Sequence, residues 1–381
     1  MYTGKLATIE PSTAICARNW AAPLDEAMKP PFKKSSVAIA SEQATGAFSD
    51  SSKLVFVLRP PSQKIRKSGP FDLAMVTPEY PYLSHRLTDL VRKIKELPDF
   101  SDDKKLAVMS DFGGEHKAAR FYTYSFLFLA YNKVGPFAEQ VKELRKKHGL
   151  LAPYSEFAYK NLTYGPRSRA LPEYLRLVDN FIHGSIITVA IDKRIDTLFG
   201  ATKQHAHPVM VEQLSSMGLG TWDGDAVEKA SRVCHILAAF TSLLTTDKQR
   251  LLWYSDRDRI NEDGKHRTFA DTQMLFRHIL AMYVKHGFDI FGFAKSFEEK
   301  SHLDDLLSVP DLAAGVVQDL LQEYRTGINI PLGDEKTAVV KWIASPAKYL
   351  SKITLQITRM DDGGIGTGVV DINPKWENGA S

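Results

Sequence analysis

Three short apolar runs of this chain end in an aspartate. Leu106-Ala107-Val108-Met109 runs through Ser110 into Asp111, Ser185–Ile191 into Asp192, and Arg250-Leu251-Leu252-Trp253-Tyr254 through Ser255 into Asp256. Unbroken apolar runs of this length read as strands buried on both faces, which need helices above and below the sheet. That requirement points to an α/β fold. Strands that run parallel present their C-terminal ends on one side, where ligands gather in open α/β sheets, so the three aspartates stand where chemistry is expected. Asp before Gly is also a common turn former, and Asp111 precedes Gly113 and Gly114 closely, so a turn is the plainer reading for that residue alone.

The remaining elements follow from periodicity. A second β-rich run, Arg120 to Asn132, predicts a hairpin with the first strand. Pro136 to His148 has helical spacing, with Phe137, Val141 and Leu144 on one side. It ends in Arg145-Lys146-Lys147-His148 before Gly149, cations that suit the end of a helix dipole. Glu156–Leu162 reads as a strand or its approach, Ser168–Ile182 as a helix and Ser185–Asp192 as a strand, a unit that predicts a parallel pair. His207–Thr245 is mainly helical, broken at Asp223-Gly224-Asp225, and its length suggests an insertion. Phe269–Lys285 reads as a helix, Asp289–Ala294 as a strand and Leu303–Tyr324 as a long amphipathic helix. Lys352–Met360 and Val369–Ile372 form a terminal hairpin across a glycine-rich turn. Ahead of these, Met1–Ser52 is rich in Pro, Ser and Ala, Leu54–Leu58 reads as a strand, and Tyr82–Leu97 has helical spacing closed by Pro98. The expected organisation is an N-terminal extension over 1–104, a core over 105–330 with a helical insertion near 207–246, and a C-terminal β-hairpin over 331–381 packed on the core.

Composition narrows the class. The 381 residues are 44% hydrophobic and 25% charged, the balance of a globular protein, and a net charge of +4 permits a polyanionic partner without demanding one. Cys16 and Cys234 are the only cysteines, which excludes a disulfide scaffold or a cysteine-caged zinc and suits a cytoplasmic setting. No apolar run approaches the ~18 residues of a membrane span, and the N-terminus lacks a signal pattern. Phosphate-loop and Gly-x-Ser-x-Gly motifs are absent. Gly363-Gly364-Ile365-Gly366-Thr367-Gly368 lies between strands and reads as a turn. His205-Ala206-His207 has no acidic or thiol partner at a metal-ligand spacing and reads as an exposed pair.

Asp311, inside the last long helix, joins Asp111, Asp192 and Asp256 as a fourth candidate acid. Several carboxylates converging at one sheet edge do not stay ionised together without a cation, and the natural resident for all-oxygen ligands is Mg²⁺ or Mn²⁺. Two such ions ~4 Å apart can activate a water and stabilise a leaving oxygen in phosphodiester cleavage. The competing reading is that each aspartate caps a following loop or helix.

The order of these elements and acids resembles the bacterial domain-of-unknown-function family 3800, whose fold is ribonuclease-H-like. The family's first strand runs into Asp-Glu-Ser-Gly; here Ser110-Asp111-Phe112-Gly113-Gly114 stands in that place. Its glutamate and nearby lysine ahead of a helix are matched by Glu156 and Lys160, and its strand-ending aspartate by Asp256 in Tyr254-Ser255-Asp256. Its last-helix signature, Leu-Gln-x-Ala-Asp-x-x-Ala-Gly, is similar to Leu307-Ser308-Val309-Pro310-Asp311-Leu312-Ala313-Ala314-Gly315, with Ser296 upstream of that helix as in the family. The resemblance spans roughly residues 105–325. Phe112 replaces the glutamate after the first aspartate, a place Glu115 could reach into, Ser308 replaces a glutamine and Pro310 an alanine. The proline predicts that Asp311 opens a helix or sits at a kink. The resemblance implies a ribonuclease-H-like mixed sheet flanked by helices. It also implies a metal-dependent nuclease acting on DNA or RNA, with Mg²⁺ or Mn²⁺ held by Asp111, Glu156, Asp256 and Asp311. Asp192 would substitute should Glu156 or Asp256 prove remote, and Lys160 would orient Glu156 or offset phosphate charge. Lys64, Arg66, Arg145, Lys146, Lys147, Arg167 and Arg169 are candidates for following the nucleic-acid backbone. A non-catalytic binding or assembly module on the same fold is the alternative, favoured by Phe112, Ser308 and Pro310.

Overall fold

The computed structural model describes residues 65–373, apart from 75, 152–153, 257, 264, 297–299, 329 and 331–332. The strand expected at Leu54–Leu58 and the basic residue Lys64 lie outside the described residues.

The sheet is built from nearly continuous apolar strands. The strand β3 (Lys105–Gly113) is buried from Leu106 to Ser110. Its neighbour β4 (Phe121–Ala130) exposes part of Tyr122 only, and β5 (Gly184–Asp192) is buried at all nine positions. Such strands are stable only with cover on both faces. They form an antiparallel meander, with Ser110 opposite Phe126 and Tyr124 opposite Val189. On the free side of β3 the strand β6 (Gln249–Ser255) pairs parallel, followed by β7 (Phe288–Lys295), also parallel. Counting from β3, the spatial order is fifth, fourth, first, second, third, with the second strand reversed. This is the ribonuclease-H-like arrangement, a mixed sheet flanked by helices. Beyond β5 the sheet gains two strands, β8 (Leu350–Arg359), parallel to β5, and β9 (Ile365–Val369), antiparallel to β8.

Cover on one face comes from α1 (Tyr82–Val91), α4 (Lys203–Ser216), α5 (Gly224–Leu244) and α6 (Phe269–Tyr283). The side chains of Val108, Phe126, Phe128, Ile187, Val189 and Trp253 meet Val233, Leu237 and Phe240 of α5 in one apolar cluster. On the other face α7 (His302–Thr326) lies across β3, β4 and β5, with α2 (Gly135–His148), α3 (Gly165–Phe181) and α8 (Asp334–Ala344) outside it. Because side chains alternate along a strand, Ala107, Met109 and Asp111 share the α7 face. Among the described residues no helix is long and apolar enough to cross a membrane.

Several expectations change. The helices over 207–246 are the crossover between β5 and β6 rather than an insertion, because fifteen residues of α5 are buried and Val233, Leu237 and Phe240 among them join the sheet's apolar core. The segment 156–162 is no sheet strand; it carries only a 3₁₀ turn at Tyr159–Asn161, so β5 pairs with β4 and not with a parallel partner there. The first helix ends at Val91, where Lys93 and Ile94 turn back on the carbonyls of Leu90 and Val91. Glu96–Pro98 becomes β2, paired with β1 (Arg66–Ser68). Residues 65–104, read with the N-terminal extension, belong to the compact unit Ile65–Ser381, since Leu83, Leu87, Leu97 and Phe100 enter its core. Pro310 lies inside α7, so Asp311 is mid-helix. The terminal hairpin starts its second strand at Ile365, drawing Gly366 and Gly368 into β9 instead of a turn.

Candidate functional site

Parallel pairing sets the first two acids side by side. Ser110 and Ser255 are register partners, and the Asp256 backbone N–H donates to the Ser110 carbonyl at 3.4 Å. Asp111 and Asp256 therefore follow on adjacent strands, whose axes lie about 4.8 Å apart. The third comes from above. A Cβ built on Gly113 would meet Ala314 of α7 at 3.9 Å, and Asp311 is the residue one turn before Ala314. Its Oδ2 accepts the Tyr159 backbone N–H at 2.8 Å, which anchors the 3₁₀ turn. The Tyr159 ring lies flat enough on α7 that a Cβ at Gly315 would fall 2.2 Å from it, so the glycine is obligatory there.

Asp111, Asp256, Asp311, Tyr159 and Gly315 line a cleft of about 1000 Å³ that also takes in Glu156, Lys160, Asp258, Gln318 and Asp319. All five acids and bases expected at the site, Asp111, Glu156, Lys160, Asp256 and Asp311, border this one cleft. Burial first, then the charges of Asp311, Asp256 and Asp258, push the Asp111 carboxyl well above the usual range. Asp311 is pushed up to about 6, by burial foremost and also by Asp256 and Glu156, against the Tyr159 hydrogen bond and Lys160. Neighbouring carboxylates inside protein cannot all ionise freely.

The outer acids are already engaged. Glu156 meets Lys300 at 2.5 Å, and Lys300 also reaches Asp304 at 3.2 Å and Ser296 at 2.9 Å. Asp258, which the sequence reading missed, is held by Lys229 at 2.6 Å, and Lys229 also binds Glu115. A second acid two residues past a strand-ending aspartate was the available signal. Asp192 lies apart from the cleft-lining residues. Its burial is outweighed by hydrogen bonds from Arg194, at 2.7 and 2.9 Å, which hold its carboxyl below the usual range. It is therefore not a substitute ligand.

The donor set around Asp111 is all oxygen and its charges repel, which fits a hard divalent cation by chemistry. Among the described residues, however, no group of three or more His, Cys, Asp or Glu side chains stands close enough to hold a metal ion. The basic residues also sort differently from expectation. Arg145 is buried in an ion pair with Asp305, its Nε 2.7 Å from Oδ1, because it lies on the apolar face of α2. Arg66 is tied to Glu96 and the Ala347 carbonyl, and Lys146 and Lys147 pair with Glu143 and Glu173. Of the basic set, Arg167 borders the cleft, together with Lys160, Lys336 and His116. His205 and His207 sit in α4, where His207 bonds Glu228 at 2.7 Å.

No protein-family model and no curated protein matches the chain. Among solved structures it is similar to the ribonuclease H2 from Pyrococcus horikoshii OT3, at 13% identity and a TM-score of 0.30, covering 63% of this chain and 85% of that one. The ribonuclease-H-like assignment rests on the strand order and directions described above.

Proposed function

We propose that this chain is a metal-dependent nuclease or related phosphoryl-transfer enzyme of the ribonuclease-H superfamily that acts on nucleic acid, and a divergent member of domain-of-unknown-function family 3800. The observation that carries the reading is that Asp111 and Asp256, from adjacent parallel strands, and Asp311, from the covering helix, border one cleft, near enough for the other two to raise the Asp111 carboxyl. Asp111, Asp256 and Asp311 would hold Mg²⁺ or Mn²⁺, with Glu156 joining once it leaves Lys300. The bound ions supply an activated water and charge stabilisation for phosphodiester hydrolysis. Lys160, at the exposed rim, offsets charge on the substrate phosphate, and Arg167 extends that edge for the backbone.

The test is Mg²⁺- or Mn²⁺-dependent cleavage of DNA and RNA oligonucleotides by the full chain. Cleavage that Asp111→Asn abolishes is the expected result. No cleavage, with divalent binding unaltered by that substitution, defeats the proposal.

One observation favours a second reading, a non-catalytic module that binds nucleic acid on the same fold: three acids are not within ligating reach, and Lys229 already engages Asp258. Calorimetric titration separates the two. A nuclease binds the divalent ion in the absence of substrate and loses that binding with Asp311→Asn, whereas the module binds oligonucleotide equally well in chelator.

A further inference from the structure

A second cavity, of about 550 Å³, opens on the sheet face opposite α7, between α1, α4, α5 and α6. Small-molecule sites run from ~300 to ~1,000 Å³, so the volume suits one. Its walls are apolar. Phe199, Val227, Leu275 and Ile279 line it, and Met210 and Met282 add thioether chains that adapt to a ligand's outline. Val209 and Met217 stand exposed at its edge. No lysine or arginine is among the described residues that line it, and its one carboxylate, Glu79, is exposed. An anion is therefore a poor occupant.

Two polar side chains interrupt this apolar lining. Ser231 and His235 lie one turn apart on α5 and are 5% and 3% exposed. No hydrogen bond among the described residues engages the Ser231 hydroxyl or His235 Nε2. Neither atom is sealed inside protein, so both open on the cavity that their residues line. The hydrogens behind the imidazole fix what it offers. Nδ1 meets Tyr283 Oη at 2.8 Å and Ser84 Oγ at 3.5 Å, and those two hydroxyls meet each other. Within this set of three atoms both hydroxyl hydrogens find acceptors only if Nδ1 accepts one of them. The ring is kept neutral by burial, so its single hydrogen is on Nε2 and faces the cavity. Buried donors without a partner are rare, and two on one helical face can converge on a single acceptor.

We propose that this cavity is a binding site for a neutral small molecule with an apolar body and a terminal carbonyl, whose oxygen accepts from His235 Nε2–H and from the Ser231 hydroxyl. The site lies on the other face of the sheet from Asp111, Asp256 and Asp311 and does not rest on their chemistry. A hydrocarbon would fill the walls but leave both donors unmet. A flat partner surface would not reach residues this deep.

The probe is prodan, a naphthalene that carries a ketone and whose emission shifts to the blue on leaving water. It is titrated by fluorescence into the full-length protein, beside the same naphthalene with a propyl chain in place of the propionyl group. Gel filtration at the titration concentrations gives the oligomeric state, and melting temperature shows that each variant folds. Prodan is expected to bind in a saturable manner and more tightly than the propyl compound. Ser231→Ala should weaken prodan by about 3- to 10-fold, the worth of one hydrogen bond, and leave the propyl compound unchanged. His235→Phe should act in the same sense. Met210→Trp, which fills the cavity from a half-buried wall position, should weaken both compounds. No binding of prodan to the wild type overturns the proposal. So does equal binding of the two compounds, or a prodan affinity unmoved by Ser231→Ala. Binding that is lost as the protein self-associates overturns it too, and assigns this face to a second copy. Should His235→Phe fail to fold, the Ser231→Ala comparison decides alone.

Discussion

Asp111 and Asp311 keep their protons further up the pH scale than ordinary carboxylates, because burial first and neighbouring carboxylates next disfavour charge. A divalent ion that joins them must displace those protons. Binding of Mn²⁺ near neutral pH is therefore expected to release protons, read as a dependence of the calorimetric heat on buffer ionisation, and Asp111→Asn should reduce that release. In chelator the same substitution should raise the melting temperature, since it replaces a group whose ionisation is disfavoured there by a neutral one of the same shape. His235 makes the opposite kind of demand. It sits between Ser84, Tyr283 and Phe199, its Nδ1 2.8 Å from the Tyr283 hydroxyl, and burial pushes it down to about 3. The unfolded chain binds this proton from about pH 6.5 downwards and the folded chain does not. Stability from this residue is therefore complete above that value and falls by roughly 1.4 kcal/mol per pH unit as pH drops towards 3. His235→Asn should flatten that acid limb in denaturant titrations. At this scale the strand-ending acids were legible, because a polar residue closing an apolar run is visible in one dimension. Arg145 was misread although it follows Val141 by four residues on the apolar stripe of its helix. Gln318 interrupts the stripe formed by Ala314 and Leu321, but its empty hydrogen-bonding positions exist only in three dimensions.

Helix α7 ties the site to the rest of the protein. It continues through Pro310, whose missing N–H leaves the Leu306 carbonyl without its usual partner. Further along, Gly315 admits the Tyr159 ring, which in turn presents the backbone N–H that Asp311 accepts. Gly315→Ala is expected to destabilise by about 1–3 kcal/mol through overpacking and to weaken divalent binding in the same variant, measured by denaturation and calorimetry. One end of α7 is pinned by Asp305, whose side chain and that of Arg145 are 3% and 1% exposed. Asp305→Ala strands the guanidinium and should cost about 3–5 kcal/mol. Element boundaries followed periodicity where a helix or strand was bordered by turn residues, as at Gly149 after α2. At Pro310 the apolar spacing of Leu303–Tyr324 read through the proline while local preference said break, and packing on β3 and β4 carries the helix on.

Across the molecule, the sheet continues past the five strands that define its fold. The added strand β8 pairs with β5 over eight residues, from Gly184 with Leu350 to Ile191 with Ile357, and shields a strand with no exposed position. A chain that stops at Ser345 would bare that edge and is expected to aggregate on expression, read by gel filtration. The parallel sense of the strands ending in Asp111 and Asp256 was expected, but not that β6 is the direct neighbour of β3, because periodicity marks strands and says nothing of their partners. That joining has a consequence for timing. Asp111 acquires Asp256 only through the pairing of β6 with β3, and Asp311 only through the docking of α7 across β3 and β4. Until then each acid is an ordinary carboxylate in water. The electrostatic penalty therefore falls on the assembly of β6 and α7 around β3, and refolding should proceed faster in mild acid or with Mn²⁺ present than at neutral pH in chelator.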